Sequence, residues 1–273
     1  MSTTRTSIAA GLVTSFIVTT SFIPGKVHAQ DGFSSPRNAD VSAAGARTVE
    51  IQAHAGSLRV EGRAGLTQVR VRGTARASSR GMLDDIRLIA ERRGDVVFIK
   101  ADIPEDRGSN FWGSVNHYRG LDLVIEVPAT IALDVGDGSG EALFVNVGAL
   151  SLSDGSGEIE IRGAKGNVRV NDGSGSIEVD GVEGNLRIDD GSGEISVRNV
   201  TGDVTVDTDG SGNIVVSGVG GTMRVGDDGS GNIDVDRVAG DFVVGNDGSG
   251  TIRYETVKGS VDVPERKRSR RMR

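Results

Sequence analysis

Between residues 137 and 263 short runs of alternating apolar and polar side chains recur in fixed phase. The tetrapeptide Asp-Gly-Ser-Gly marks the phase seven times, at Asp137, Asp154, Asp172, Asp190, Asp209, Asp228 and Asp247, with spacings of 17, 18, 18, 19, 19 and 19 residues. Five positions after the second to seventh Asp stand Ile159, Ile177, Ile195, Ile214, Ile233 and Ile252, and two further on Ile161, Val179, Val197, Val216, Val235 and Tyr254. Later in each unit come a Val (Ala164 in one unit), a Gly, and an apolar pair such as Leu186/Ile188 or Phe242/Val244. The first unit departs, with Ala142 and Phe144 at its first strand. Each unit therefore predicts a turn, a short strand, a bend, a Gly turn and a second short strand, with one apolar face of period two.

One unit offers about five apolar side chains, too few to offset ordering entropy of about 1–2 kcal/mol per residue. Stacked units cover one another, so the pattern predicts a column of coils. The expected fold is all-β: a single-stranded β-solenoid of the right-handed β-helix type, with 17–19-residue rungs and an irregular β N-terminal cap. The spacing of core positions does not match the hexapeptide beat of left-handed helices, hence the right-handed expectation. At ~4.8 Å per rung, seven rungs would reach roughly 34 Å.

The regular array is expected over 131–263. Residues 30–130 read as an N-terminal β region that caps the solenoid and continues it, with strands around Thr48–Ile51, Leu58–Val60, Val69–Val71, Val96–Ile99 and Leu121–Val127. His54 to Val60 echoes the motif and its first strand. Met82–Arg92 reads equally as a turn or two of helix or as strand.

Residues 1–29 carry one early charge, Arg5, then an apolar stretch from Ile8 to Ile23, the break Pro24-Gly25, and Val27-His28-Ala29. This layout predicts a secretory signal peptide cleaved after Ala29, and a secreted or periplasmic chain. The alternative, an uncleaved anchor, fits less well because the stretch is short for a span and diluted by Ser and Thr. No later segment is long and apolar enough to span a bilayer as a helix. Net charge is −7; without Arg5 and Lys26 it becomes about −9, and without the six basic side chains of Arg266–Arg273 about −15. An acidic body thus ends in a basic tail, 264–273. That tail could touch anionic polymer or lipid head groups, or block edge-to-edge pairing of the last rung. The acidic balance argues against nucleic acid as a partner.

The absence of Cys excludes disulfide staples and thiolate chemistry, and the three His leave little for a His-based site. Gly-x-Ser-x-Gly and phosphate-loop motifs are absent, and His54 and His117 are isolated. The protein is expected not to be an enzyme, with no catalytic residues; a carbohydrate-active β-helix enzyme is the alternative that its carboxylates suggest.

Asp-Gly-Ser-Gly is first a turn: Asp and Ser bond downstream amides and Gly supplies positive φ. In register the Asp side chains would stack ~5 Å apart on one edge, and exposed carboxylates at that distance repel by ~1 kcal/mol in water. Local amides could offset this, and so could Ca²⁺, the one cofactor considered. The candidate metal ligands are Asp137, Asp154, Asp172, Asp190, Asp207, Asp209, Asp228 and Asp247. Asp207 joins because Asp207 to Ile214 fits the first eight positions of an EF-hand loop, although Gly218 stands where the bidentate Glu belongs. A second candidate site is the aromatic stretch holding Phe111, Trp112, His117 and Tyr118, which could grip a sugar ring or a partner, or cap the core.

Units such as Asp172 to Ile188, together with Arg47–Arg72 and the strand-then-Pro run Leu121–Pro128, resemble a bacterial adhesin-like family of β-strand-repeat proteins. The resemblance covers about 47–263. It implies an extracytoplasmic solenoid and carries over no catalytic residues; the uniform Asp-Gly-Ser-Gly corner departs from the family pattern. The expected function is a structural or adhesin-like role at the bacterial cell envelope, with an envelope polysaccharide or surface protein as partner. A Ca²⁺-binding repeat domain is the alternative.

Overall fold

The computed structural model describes residues 32–104 and 118–264. The strands before the regular array are β1 (Phe33–Ser42), β2 (Thr48–Ala55), β3 (Leu58–Arg63), β4 (Gln68–Ala77), β5 (Arg87–Arg93), β6 (Val96–Asp102) and β7 (Arg119–Pro128), with one helix, α1 (Arg80–Asp85). The Met82–Arg92 stretch is thus divided between helix and strand. Ser79 caps α1 by accepting a hydrogen bond from the Met82 amide.

Fifteen strands follow: β8 (Ala132–Ser139), β9 (Ala142–Val147), β10 (Leu150–Asp154), β11 (Ile159–Ala164), β12 (Val168–Asp172), β13 (Ile177–Val182), β14 (Leu186–Asp190), β15 (Ile195–Val200), β16 (Val204–Asp209), β17 (Ile214–Val219), β18 (Met223–Asp228), β19 (Ile233–Val238), β20 (Phe242–Asp247), β21 (Ile252–Val257) and β22 (Val261–Asp262). Each coil gives one strand to each of two 11-stranded sheets. One sheet runs β1-β4-β7-β3-β9-β11-β13-β15-β17-β19-β21, the other β22-β20-β18-β16-β14-β12-β10-β8-β2-β6-β5. From β8 on, every pairing is parallel. The chain is a β-solenoid.

Equivalent positions pair coil to coil: Ile159, Ile177, Ile195, Ile214 and Ile233 form one rank, and Ile161, Val179, Val197, Val216 and Val235 the next. These side chains are 0–3% exposed. The bend between the second and third core positions of the first strand falls on a residue with positive φ: Gly163, Gly181, Asn199, Gly218, Arg237 and Thr256. That residue reverses the alternation, so that Ala164, Val182, Val200, Val219 and Val238 turn inward again.

The change from 18- to 19-residue units has a local cause. Ile188 pairs with Val206 and Asp190 with Asp209, so β16 carries one more residue than β14 over this stretch. Later strands keep the longer form, because Val206 pairs with Val225 and Asp209 with Asp228. The extra residue is a bulge that every following coil copies.

The N-terminal end is built differently. β2 and β3 extend the parallel stack beside β8 and β9, and β6 and β7 lie beyond them. Outermost, β1, β4 and β5 run antiparallel. Leu83 and Ile86 are buried against this end, where the Arg37 guanidinium donates to the carbonyls of both.

Candidate functional site

The repeated Asp residues end the strands of the second sheet. In β14 the side chains of Leu186, Ile188 and Asp190 all face inward, and the same alternation holds in β10 and β12. Asp154, Asp172, Asp190, Asp209, Asp228 and Asp247 are register partners in successive coils. They form one column along one corner of the solenoid.

This column is not the exposed row that the turn motif suggested. Asp137, Asp154, Asp172, Asp190, Asp209 and Asp228 are 0–8% exposed. For Asp137, Asp154, Asp172 and Asp190 the reason is parity: the Asp continues the period-two alternation of the core strand, so its side chain must enter the interior, and in the 19-residue units one extra strand residue returns Asp209 and Asp228 to the same place. Asp247, in the last corner, is half-buried.

One oxygen of several carboxylates serves the turn, as expected of the motif. The Ser174, Ser192 and Ser211 amides donate to Oδ1 of Asp172, Asp190 and Asp209 at 3.3, 3.2 and 3.1 Å, and the Gly138 amide donates to Asp137 Oδ1 at 2.8 Å. The corner is also tied to its neighbours: the Gly157, Gly175 and Gly193 amides donate to the Ser174, Ser192 and Ser211 carbonyls of the next coil. These glycines have φ of +140°, +145° and +149°, and a Cβ on any of them would overlap a carbonyl oxygen of the preceding coil. Gly is therefore required at the fourth position of the motif.

The other oxygens are buried without a hydrogen bond: Oδ2 of Asp137, Asp172, Asp190 and Asp209, and both oxygens of Asp154 and Asp228. Burial raises the pKa of the buried members, lifting Asp137 to about 7 and Asp172 and Asp209 to about 6. Asp154, Asp190 and Asp228 are raised by the same cause. The charge of neighbouring column members adds to the effect at Asp137, Asp172 and Asp209. At about pH 5, Asp137, Asp172 and Asp209 hold protons that exposed carboxyls would have lost.

A calcium ion takes six to eight oxygen ligands. Successive coils offer stacked pairs of carboxylates instead, and among the described residues no three acidic or His side chains converge as a metal cage would need. Asp207 stands apart from the column: it is half-exposed and pairs with Arg187.

Of the aromatic candidates, Tyr118 is 52% exposed immediately before β7, and its carbonyl accepts from the Ser78 amide. Phe111, Trp112 and His117 lie outside the described residues, as do the signal segment and Glu265–Arg273 of the basic tail. His54 is exposed at the end of β2 with φ of +65°.

The outer faces carry ordered polar rows. Arg198 pairs with Glu178 of the previous coil at 2.9 Å, and Arg253 with Asp234 at 3.3 Å. Ladders of Asn and Asp run up the corners: the Asn185 amide donates to Asn167 Oδ1, the Asp203 amide to Asn185 Oδ1, and the Thr222 amide to Asp203 Oδ1. Asn213 and Asn232 make a second ladder ending on the Thr251 amide. Sequence reading passed over these residues, although they too recur in phase. A shallow groove of about 500 Å³ lies beside Ala43, Leu66, Thr67, Thr130 and Ile131; its one charged lining side chain is Arg47.

With this geometry defined, the chain can be set beside known proteins. The solved structures similar to it include proposed adhesins. One, from Bacteroides fragilis, is 11% identical with a TM-score of 0.47, over 84% of this chain and 97% of its own. A proposed cell adhesion protein from Clostridium sporogenes is 14% identical with a TM-score of 0.31, over 85% and 99%. A proposed lipid binding protein from Parabacteroides distasonis is 14% identical with a TM-score of 0.38, over 84% and 96%. No family model matches the chain, and no curated protein does. Among the described residues no helix is long and apolar enough to cross a membrane.

Proposed function

We propose that the protein is a non-enzymatic β-solenoid of the bacterial cell envelope, secreted or periplasmic after cleavage following Ala29, with a structural or adhesin-like role. Its partner in this reading is an envelope polysaccharide or a surface protein, held on the outer faces of the column. One observation carries the reading: the repeats that fill the interior with Val, Ile and Asp turn mainly charged and polar rows outward in coil-to-coil register, Glu160, Glu178, Ser196, Val215 and Asp234 in one and Arg162, Asp180, Arg198, Ser217 and Asp236 in the next. A ligand that repeats along its own length can meet such rows many times, and weak contacts then add by multivalency. Several carboxylates of the interior are bonded to turn amides, and on the outer faces Glu160, Glu178, Asp207, Asp234 and Asp236 pair with Arg.

Two measurements test this. Fractionation with N-terminal sequencing should find a chain beginning at Gln30 outside the cytoplasm; an uncleaved cytoplasmic chain would refute the localisation. Purified protein should sediment with isolated cell envelopes, and envelopes stripped of polysaccharide and of protein in turn identify the partner. Failure to bind any envelope fraction would refute the adhesin-like role.

A further inference from the structure

The two ends of the solenoid differ. At the N-terminal end the outermost strands are closed to further pairing: β1 carries Pro36, which has no amide to donate, and β5 carries Arg87, Arg92 and Arg93. At the other end β21 and β22 are the last strands of their sheets, with no described strand beyond them. The core ranks continue to this end and lose their cover. Ile233 and Val235 are 0% and 3% exposed, whereas their partners in the final coil, Ile252 and Tyr254, are half-buried and 47% exposed. Val257, Val261 and Val263 are likewise half-buried. Tyr254 rests on Phe242, ring centroids 5.8 Å apart, and otherwise faces out.

A repeat array needs its terminal apolar surface covered. Residues 265–273 hold six basic side chains and one large apolar one, Met272, a composition unlike that of the rungs. The edge is, however, complementary to itself. β21 reads Ile-Arg-Tyr-Glu-Thr-Val. Antiparallel pairing of two such strands centred on Tyr254 sets each Arg253 opposite the other copy's Glu255, twice by symmetry, on the outer face. On the inner face Tyr254 meets Tyr254. Glu255 is exposed and has no ion-pair partner among the described residues.

We propose that a second copy of this chain covers the C-terminal end, through an isologous two-fold contact in which the two β21 strands pair antiparallel and bury Ile252, Tyr254 and Val257. The closed N-terminal edges stop the stacking at two copies, so the product is a dimer and not a fibre.

Sedimentation velocity of the purified full-length chain tests this. The expected result is a dimer at micromolar concentration. Glu255→Arg sets Arg against Arg twice and should weaken the dimer by about tenfold or more, since opposed cross-strand charges contribute several tenths of a kcal/mol per pair. Arg253→Glu alone should do the same, and the double reversal, Arg253→Glu with Glu255→Arg, should restore wild-type association. Both positions are exposed, so the circular dichroism melt should change little and separates lost association from lost folding. A monomeric wild-type chain overturns the proposal. So does a dimer that both single reversals leave unchanged, because its contact lies elsewhere. A chain ending at Pro264 should still dimerise; if it dimerises while the full-length chain is monomeric, the tail is the cover and the proposal falls.

Discussion

Asp172 and Asp190 lie directly over one another in adjacent coils, both carboxylates inside the solenoid, each bonded through Oδ1 to the amide of the Ser two residues on and each with Oδ2 buried and unpaired. The same pairing repeats through the array, so a single chemical group dominates the response of the fold to pH and to substitution.

Stability should fall as pH rises from about 4 to about 7. Asp137 near 7 and Asp172 and Asp209 near 6 bind protons in the folded chain that the unfolded chain has already released at its ordinary value of 3.8. The folded state binds more protons across this window, so the slope of unfolding free energy against pH is negative there, and flat below both values. A urea midpoint higher at pH 5 than at pH 8 is the expected result, and the reverse order would show that these carboxyls are solvated.

Asp209→Asn keeps the acceptor for the Ser211 amide and removes one buried charge. Its new amide can also donate to an unpaired oxygen of Asp190 or Asp228. We expect a gain of about 1 kcal/mol at pH 8 and little change at pH 5, read from denaturant midpoints. An equal effect at both pH values would separate the substitution from the proton.

Gly193→Ala should be severely destabilising, by about 3 kcal/mol or more, because φ is +149° and the added methyl would overlap the Gly175 carbonyl. Gly45→Ala, also at positive φ but with open space around it, should cost about 1 kcal/mol. Comparing their thermal melts separates coil-to-coil contact from backbone strain.

Arg237 holds φ of +54° where three equivalent coils have Gly163, Gly181 and Gly218. Arg237→Gly should stabilise by up to about 1 kcal/mol by relieving a left-handed side-chain-bearing residue. The offsetting loss is its exposed pair with Asp236, which is small. A lower melting temperature would show that this pair outweighs the strain.

Calcium and EDTA should each leave the melting temperature within about 1 °C of its starting value. A ligand at a hundred times its dissociation constant would add about 2.7 kcal/mol, which a chain of this size shows as several degrees. A rise of that size in calcium would mean that the column opens to admit the ion.

Much of this was readable in the residues. Ile177, Val179, Val182, Leu186 and Ile188 recur in phase, and only stacking in register gives that phase a use. The inward direction of Asp190 was legible too, since it stands two after Ile188 and four after Leu186, but an acidic turn motif draws attention to water before parity. In the 19-residue units the clue weakens: Asp209 stands three after Val206, and only the bulge in β16 restores its place. β1 escaped because Pro36 and Arg37 interrupt its pattern, and its antiparallel partner β4 is distant in sequence. The exposure of Tyr254 could not be read in the residues, because its unit carries the same phase as the buried ones and burial depends on a neighbouring coil.

The copied bulge has a consequence for how such a chain can change in length. Once β16 lengthened, each later turn repeated the longer register and kept its core positions inside, so one added residue is absorbed where all following coils copy it. The girth of a turn is thus inherited from the turn before it, while the molecule's reach grows or shrinks by whole turns, like notches on a ratchet.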